Sequence, residues 1–315
     1  MDQQSSAVKI PGLEAKQVAW QDKYFTSQDG LRLYARDYEK SGDADAAPVI
    51  CLSGLTRNSK DFHELASRMA PTRRVVAMDY RGRGRSDYTK EWATYTPLQE
   101  MEDTFAMMAA LGLHDAIIAG TSRGGLIALM MAAVRPTAVR AVILNDIGPE
   151  VNPQGLLRIH GYLGVTPKAQ NWEDAVYLMK SINRGFNTLS DDEWMTWARR
   201  TYIEKNGFPF GDYDKNLRKT FASHDELTTS ELPTLWPQFK ALKNRPVLVL
   251  RGEHSDILSA KTVDRMLKEK PDLLATTVND RGHVPFLDEP EALASIAELL
   301  KRADAAEPGV EPRKT

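Results

Sequence analysis

Residues 116–125 read Ala116-Ile117-Ile118-Ala119-Gly120-Thr121-Ser122-Arg123-Gly124-Gly125, a short apolar strand running into Gly-x-Ser-x-Gly and then into a helix. A strand-to-helix turn this tight holds its central residue in a strained backbone conformation. It also brings neighbouring chain so close that glycine is required two residues before and two after. The pattern is that of a nucleophile elbow, which lifts the Ser122 hydroxyl clear of the sheet. The Arg123 N–H then lies at a helix N-terminus, where a developing anion is favoured. The flanks agree: Ile117 and Ile118 give a buried-strand run, and Leu126–Val134 reads as an apolar helix ending near Arg135-Pro136.

Working outward, the same strand, loop and helix rhythm recurs. Upstream, strands at 18–27 and 31–38 form an antiparallel hairpin, because Asp29-Gly30 supplies the turn and Leu31, Leu33 and Ala35 alternate with polar residues. Pro48–Leu52 precedes a helix near 60–70, Arg74–Met78 precedes a helix at Pro97–Leu111, and Val139–Leu144 follows the elbow helix. In the second of these helices Leu98, Met101, Phe105 and Met108 fall on one apolar face, which marks the methionines as core filler. The alternation resumes with strand 246–251, helix 260–269, strand 273–278 and helix 290–302. The expected fold is therefore α/β, a mostly parallel eight-stranded sheet with helices on both faces.

Between these halves the rhythm breaks, and the interval is rich in aromatics such as Trp172, Tyr177, Trp194 and Trp197 at helical spacing. A helical cap over the carboxyl ends of the strands is the natural assignment, since ligands of open parallel sheets bind there. The expected division is 1–148 core, 149–240 cap, 241–302 core, and a polar, proline-bearing flexible tail at 303–315.

A serine hydroxyl attacks at neutral pH only if a base takes its proton. His283, in Arg281-Gly282-His283-Val284-Pro285-Phe286, follows the last strand and precedes the last helix, where a Gly-His loop can swing an imidazole over the sheet edge toward Ser122. A carboxylate must hold that imidazole in the correct tautomer. Asp256, after strand 246–251, is the expected acid, and Asp146, after strand 139–144, is the alternative. Both give the chain order Ser, Asp, His. The oxyanion hole is expected from the Arg123 N–H together with the Leu55 N–H of the loop Ser53-Gly54-Leu55. Thr56, Ile147, Trp197, Val284 and Phe286 are the expected substrate-pocket residues.

The charge balance, 41 Lys and Arg against 43 Asp and Glu, leaves a net −2 with the signs interleaved, so no basic face argues for nucleic acid or an anionic membrane. The run Arg81-Gly-Arg83-Gly-Arg85 is expected to be a solvated loop with local salt bridges. A single cysteine, Cys51, excludes an intramolecular disulfide framework and a multi-cysteine metal site, and reads as a small buried hydrophobe. The first residues lack the basic start and apolar core of a signal peptide, and no apolar stretch approaches membrane-spanning length, so a cytoplasmic location is expected. No signal bears on an oligomer.

Taken in order, Ser53-Gly54-Leu55, Asp79-Tyr-Arg-Gly-Arg-Gly-Arg-Ser86, Gly120-Thr-Ser122-Arg-Gly-Gly125, Gly252-Glu-His-Ser-Asp256 and Gly282-His283-Val-Pro-Phe286 resemble the α/β-hydrolase superfamily over about residues 20–300. The likeness is to the capped serine-hydrolase branch that holds bacterial esterases, hydrolases of ring-cleavage products and epoxide hydrolases. Ser53 stands where such chains commonly carry histidine, and no tryptophan follows His283 as in many ring-cleavage hydrolases. The serine nucleophile also disfavours chemistries that need an alkyl-aspartyl ester. The resemblance implies a serine hydrolase of a small or medium apolar carboxylic ester or lactone, acting through an acyl-serine without metal or organic cofactor. Its alternatives are a hydrolase of the carbon–carbon bond of a vinylogous diketone and a catalytically silent ligand receptor.

Overall fold

The computed structural model describes residues 13–14, 18–41, 46–165 and 168–306. The strands in chain order are β1 (Gln21–Thr26), β2 (Arg32–Tyr38), β3 (Val49–Leu52), β4 (Val75–Asp79), β5 (Ala116–Thr121), β6 (Val139–Asn145), β7 (Tyr202–Lys205), β8 (Phe208–Gly211), β9 (Val247–Gly252) and β10 (Leu274–Val278). The first five helices are α1 (His63–Met69), α2 (Pro97–Ala110), α3 (Arg123–Val134), α4 (Pro153–Tyr162) and α5 (Trp172–Ile182). After them come α6 (Asp191–Thr201), α7 (His224–Thr229), α8 (Trp236–Ala241), α9 (Ala260–Glu269) and α10 (Pro290–Ala305).

Eight strands form one sheet in the order β1-β2-β4-β3-β5-β6-β9-β10. Only β2 runs against its neighbours; the others pair in parallel. The central strands are buried and largely apolar because both faces are covered. Alternate residues serve opposite layers: Ile50, Val76, Ile118, Val142 and Val249 join the cluster on one face, with Met101, Phe105 and Met108 of α2. Cys51, Ala77, Ile117, Ile143 and Leu248 face the other cluster, with Leu65 of α1 and Ile296 of α10. Burial raises the Cys51 thiol well above its ordinary range, as expected of a small core residue. Leu98, expected on the buried face of α2, is instead exposed, because it lies in the first turn of the helix.

Three further expectations change. Arg81 and Arg83 are fully buried, so their loop is no solvated segment; Arg81 pairs with Asp103 and Asp29, and only Arg85 is half exposed. The stretch between β6 and β9 is not purely helical, since β7 and β8 form an antiparallel hairpin in it. Its α5 and α6 enclose an aromatic cluster of their own, including Phe186, Trp194 and Trp197, whereas Trp236 and Phe239 of α8 join the apolar cluster on the sheet. Last, α10 continues to Ala305, past the expected end at 302, and residues 307–315 of the expected tail lie outside the described residues. No helix among the described residues is long and apolar enough to cross a membrane.

Candidate active site

Ser122 sits between β5 and α3 at φ 52°, ψ −113°, in the half of backbone space that side chains with a Cβ avoid. Its flanking glycines are needed for close approach: a Cβ on Gly124 would overlap the Leu52 carbonyl, and one on Gly120 would overlap the Gly124 carbonyl. The Ser122 N–H donates to the Asn145 carbonyl at 3.0 Å, which ties the turn to the end of β6. The hydroxyl therefore rises between β5 and the loops that follow its neighbours in the sheet.

His283, in the loop after β10, places Nε2 2.8 Å from Ser122 Oγ and Nδ1 2.7 Å from Asp146 Oδ2. Asp146 follows β6 directly, is fully buried, and adopts φ 54°, a conformation that Asp tolerates better than most residues. Its carboxylate also accepts from the Gly252 N–H at 2.8 Å and the Ser255 hydroxyl at 2.6 Å, so its orientation is held from three sides. Asn145 Nδ2 donates to the Pro285 carbonyl at 2.9 Å, and Glu289 accepts from the Phe286 and Leu287 N–H groups, which pins the histidine loop just after His283.

The sequence points first to Asp256 as the partner of His283, and the structure corrects this: the contact is made by Asp146. The carboxylate of Asp256 is instead gripped by Arg158 of α4, at 2.5 Å from Nε and 2.8 Å from Nη2. Two features account for the difference. A tight turn from Gly252 to Ser255 presents Ser255 to Asp146, leaving Asp256 one residue further along the loop. In addition, α4 packs directly on the Asp256 backbone, where a Cβ at Gly155 would collide with the Asp256 carbonyl, and this brings Arg158 within reach. Burial alone would raise the Asp256 carboxyl, but the hydrogen bonds and charge of Arg158 outweigh it and hold the group below its usual range.

Leu55 and Arg123, the expected oxyanion donors, both line the space beside Ser122. Behind them lies a buried ionic network that sequence patterns do not display. Glu100 of α2 forms an ion pair with Arg83 at 2.7 Å and accepts a hydrogen bond from Arg123 Nε at 2.5 Å, while Arg83 Nε donates to the Leu55 carbonyl at 2.9 Å. Burial by itself would raise the Glu100 carboxyl, but the two guanidinium charges bring it below its ordinary value. Removing that carboxylate leaves two arginines without their shared counter-charge. Glu100→Ala is therefore expected to lower the unfolding free energy by about 3–5 kcal/mol, read from urea denaturation. A loss below about 1 kcal/mol would mean that the arginines find other partners or water.

The expected pocket residues divide between two cavities that meet at Ser122. Thr56, Trp197, Val284 and Phe286 line one of about 130 Å³, together with His283. Ile147 lines the other, of about 340 Å³. Trp197 and Phe286 also pack edge to face with ring centroids 4.9 Å apart, so they join the histidine loop to α6 as well as walling the cavity. Sequence reasoning missed Arg57, Asn145, Ile159 and Thr201, which face Ser122 or its cavity from separate elements. Of these only Asn145 carried a signal, its place beside Asp146 at a strand end. Among the described residues no group of three or more His, Cys, Asp or Glu is placed to hold a metal ion.

Residues 47–290 match the model of the alpha/beta hydrolase fold family. The chain is 32% identical over 277 residues to a 3-hydroxybutyrate-oligomer hydrolase of Cupriavidus necator, covering 86% of this chain and 94% of that one. It is 26% identical over 237 residues to a 2-(acetamidomethylene)succinate hydrolase of Mesorhizobium japonicum, covering 75% and 81%. A crystal structure of an alpha/beta hydrolase from Novosphingobium aromaticivorans superposes with a TM-score of 0.83 at 41% identity, covering 91% of this chain and all of that one. With its sheet order and a match of this extent, the chain belongs to the alpha/beta hydrolase family.

Proposed function

We propose that this hydrolase cleaves carboxylic esters or lactones through an acyl-Ser122 intermediate, with His283 as the base and Asp146 as the group that orients it. The observation that carries the reading is the unbroken hydrogen-bonded chain from Ser122 Oγ through both imidazole nitrogens to Asp146. Ser122 Oγ attacks the carbonyl carbon as its proton passes to His283 Nε2, and the Leu55 and Arg123 amides receive the oxyanion. The carbon–oxygen bond to the alcohol breaks, and the alcohol leaves with the proton from Nε2. Water then adds to the acyl carbon, gives a proton to Nε2, and the carboxylic acid departs as Ser122 regains its own. Asp146 stabilises the imidazolium throughout without becoming protonated. In this reading residues 149–240 serve as the cap that closes over the site.

An organophosphonate is expected to label Ser122 and no other serine, and an activated nitrophenyl ester to give a burst of nitrophenol equal to the enzyme present. Mass spectrometry locating the label on a different serine would overturn the assignment. Carbon–carbon bond cleavage of a vinylogous diketone without any acyl-serine would favour that chemistry instead, and a chain that binds but turns over nothing would be a receptor. The substrate panel includes 3-hydroxybutyrate oligomers, because a relative at 32% identity carries that activity in its name.

A further inference from the structure

The two cavities at Ser122 differ in the chemistry of their walls. The larger, about 340 Å³, is walled almost wholly by apolar side chains, among them Leu126, Met130, Ile147, Val151, Leu227 and Leu232, with Ser122 and Arg123 also in its lining. The smaller, about 130 Å³, has a mixed wall, in which Arg57, Asn183, Thr201 and His283 stand among Ile182, Trp197 and other apolar side chains. Leu55, Ser122 and Ile159 border both, so they mark the ridge between the two. The Arg57 guanidinium is held by Asp61 and Thr201, so the charge in this wall is already balanced.

Proton transfer fixes which end of an ester enters which chamber. The departing oxygen must take its proton from His283 Nε2, so the alcohol half has to lie on the side where the imidazole is exposed. His283 borders the smaller chamber and not the larger. The substituent on the acyl carbon then points across the ridge, past the Arg123 amide, into the apolar space. Resting on the acyl-serine reading above, we propose that the preferred substrate joins an apolar acyl chain of medium length, held in the 340 Å³ chamber, to a small, uncharged alcohol, held in the 130 Å³ chamber.

Two ester series separate the ends. In the first, nitrophenyl esters of acyl length from acetyl to octanoyl hold the leaving group constant; in the second, acetate esters of alcohols from methyl to octyl hold the acyl group constant. For the native chain kcat/KM is expected to climb along the acyl series by about fourfold per methylene that finds the apolar wall, and to stay flat or fall along the alcohol series. Leu232→Trp, on the loop between α7 and α8, fills part of the larger chamber. It is expected to cut the octanoate-to-acetate ratio by at least about tenfold while the alcohol series keeps its slope. Val151→Trp intrudes from a second loop and gives the same readout if Leu232→Trp fails to fold. A gain that follows alcohol length, or an acyl ratio unchanged in both variants, overturns the orientation while leaving the serine chemistry standing. Loss of turnover in both series together with no phosphonate on Ser122 defeats the underlying reading instead.

Discussion

Replacing Ser122 with alanine is expected to lower kcat on a nitrophenyl ester by on the order of 10⁶-fold, leaving only what binding and the oxyanion amides achieve without a nucleophile. In the proposed mechanism His283 and Asp146 cannot compensate, because each acts through the serine: the imidazole has no proton to take and the carboxylate no imidazolium to stabilise. The same position tests whether the elbow stores strain. At φ 52° and ψ −113° a residue with a Cβ costs about 1–3 kcal/mol, which alanine keeps and glycine relieves. Glycine also loses about 0.5–1 kcal/mol of backbone entropy that alanine does not. Ser122→Gly is therefore expected to be as inactive as Ser122→Ala yet more stable, by about 1 kcal/mol. Paired kcat and urea-denaturation measurements check both parts. An alanine variant at least as stable as the glycine one would show that the turn carries no strain at Ser122.

Ser122 and His283 were legible because each is bound to a local pattern. Gly-x-Ser-x-Gly needs only its own strand and helix, and a Gly-His loop between the last strand and the last helix is tied to the sheet edge whatever else the chain does. The strands were legible for a related reason, since residues such as Ile117 and Ile118 must both be apolar when helices cover both faces. Asp146 and Asp256 look alike in the sequence: each follows one of two strands that lie side by side, β6 and β9, Asp146 at once and Asp256 after three intervening residues, and both stand between serine and histidine in the chain. What separates them is Arg158, 98 residues before Asp256 and in a helix whose docking depends on Gly155. No periodicity reports such a contact. The β7–β8 hairpin was hidden similarly: Phe208-Pro209-Phe210 sits among aromatic residues that serve a helical core equally well. Arg81 and Arg83 read as surface charge because their buried carboxylates, Asp103 and Glu100, come from α2 and not from their own loop.

The structural choice between the carboxylates predicts unequal losses. Asp146→Asn preserves size and leaves an oxygen for the Gly252 N–H, but it turns an amide N–H toward His283 Nδ1. Two donors cannot face each other, so the imidazole moves its proton to Nε2, where it points at Ser122 Oγ and can no longer accept from it. The expected fall in kcat is about 10⁴-fold, with KM little changed, because the substituted group touches no substrate. Asp256→Asn breaks the pairing with Arg158 instead, and its effect should appear in how firmly α4 is held. Its kcat is expected to fall by less than about tenfold, since the Ser122–His283–Asp146 chain stays whole. Steady-state kinetics of the two variants on one ester decide the matter. If Asp256→Asn proved the more damaging, Arg158 would have to release Asp256 during turnover, and the acid that orients His283 would be the one at the end of β9 and not of β6. Such a reversal would also make the docking of α4 part of the chemistry, which Arg158→Ala would then reveal as a loss of kcat larger than any change in KM.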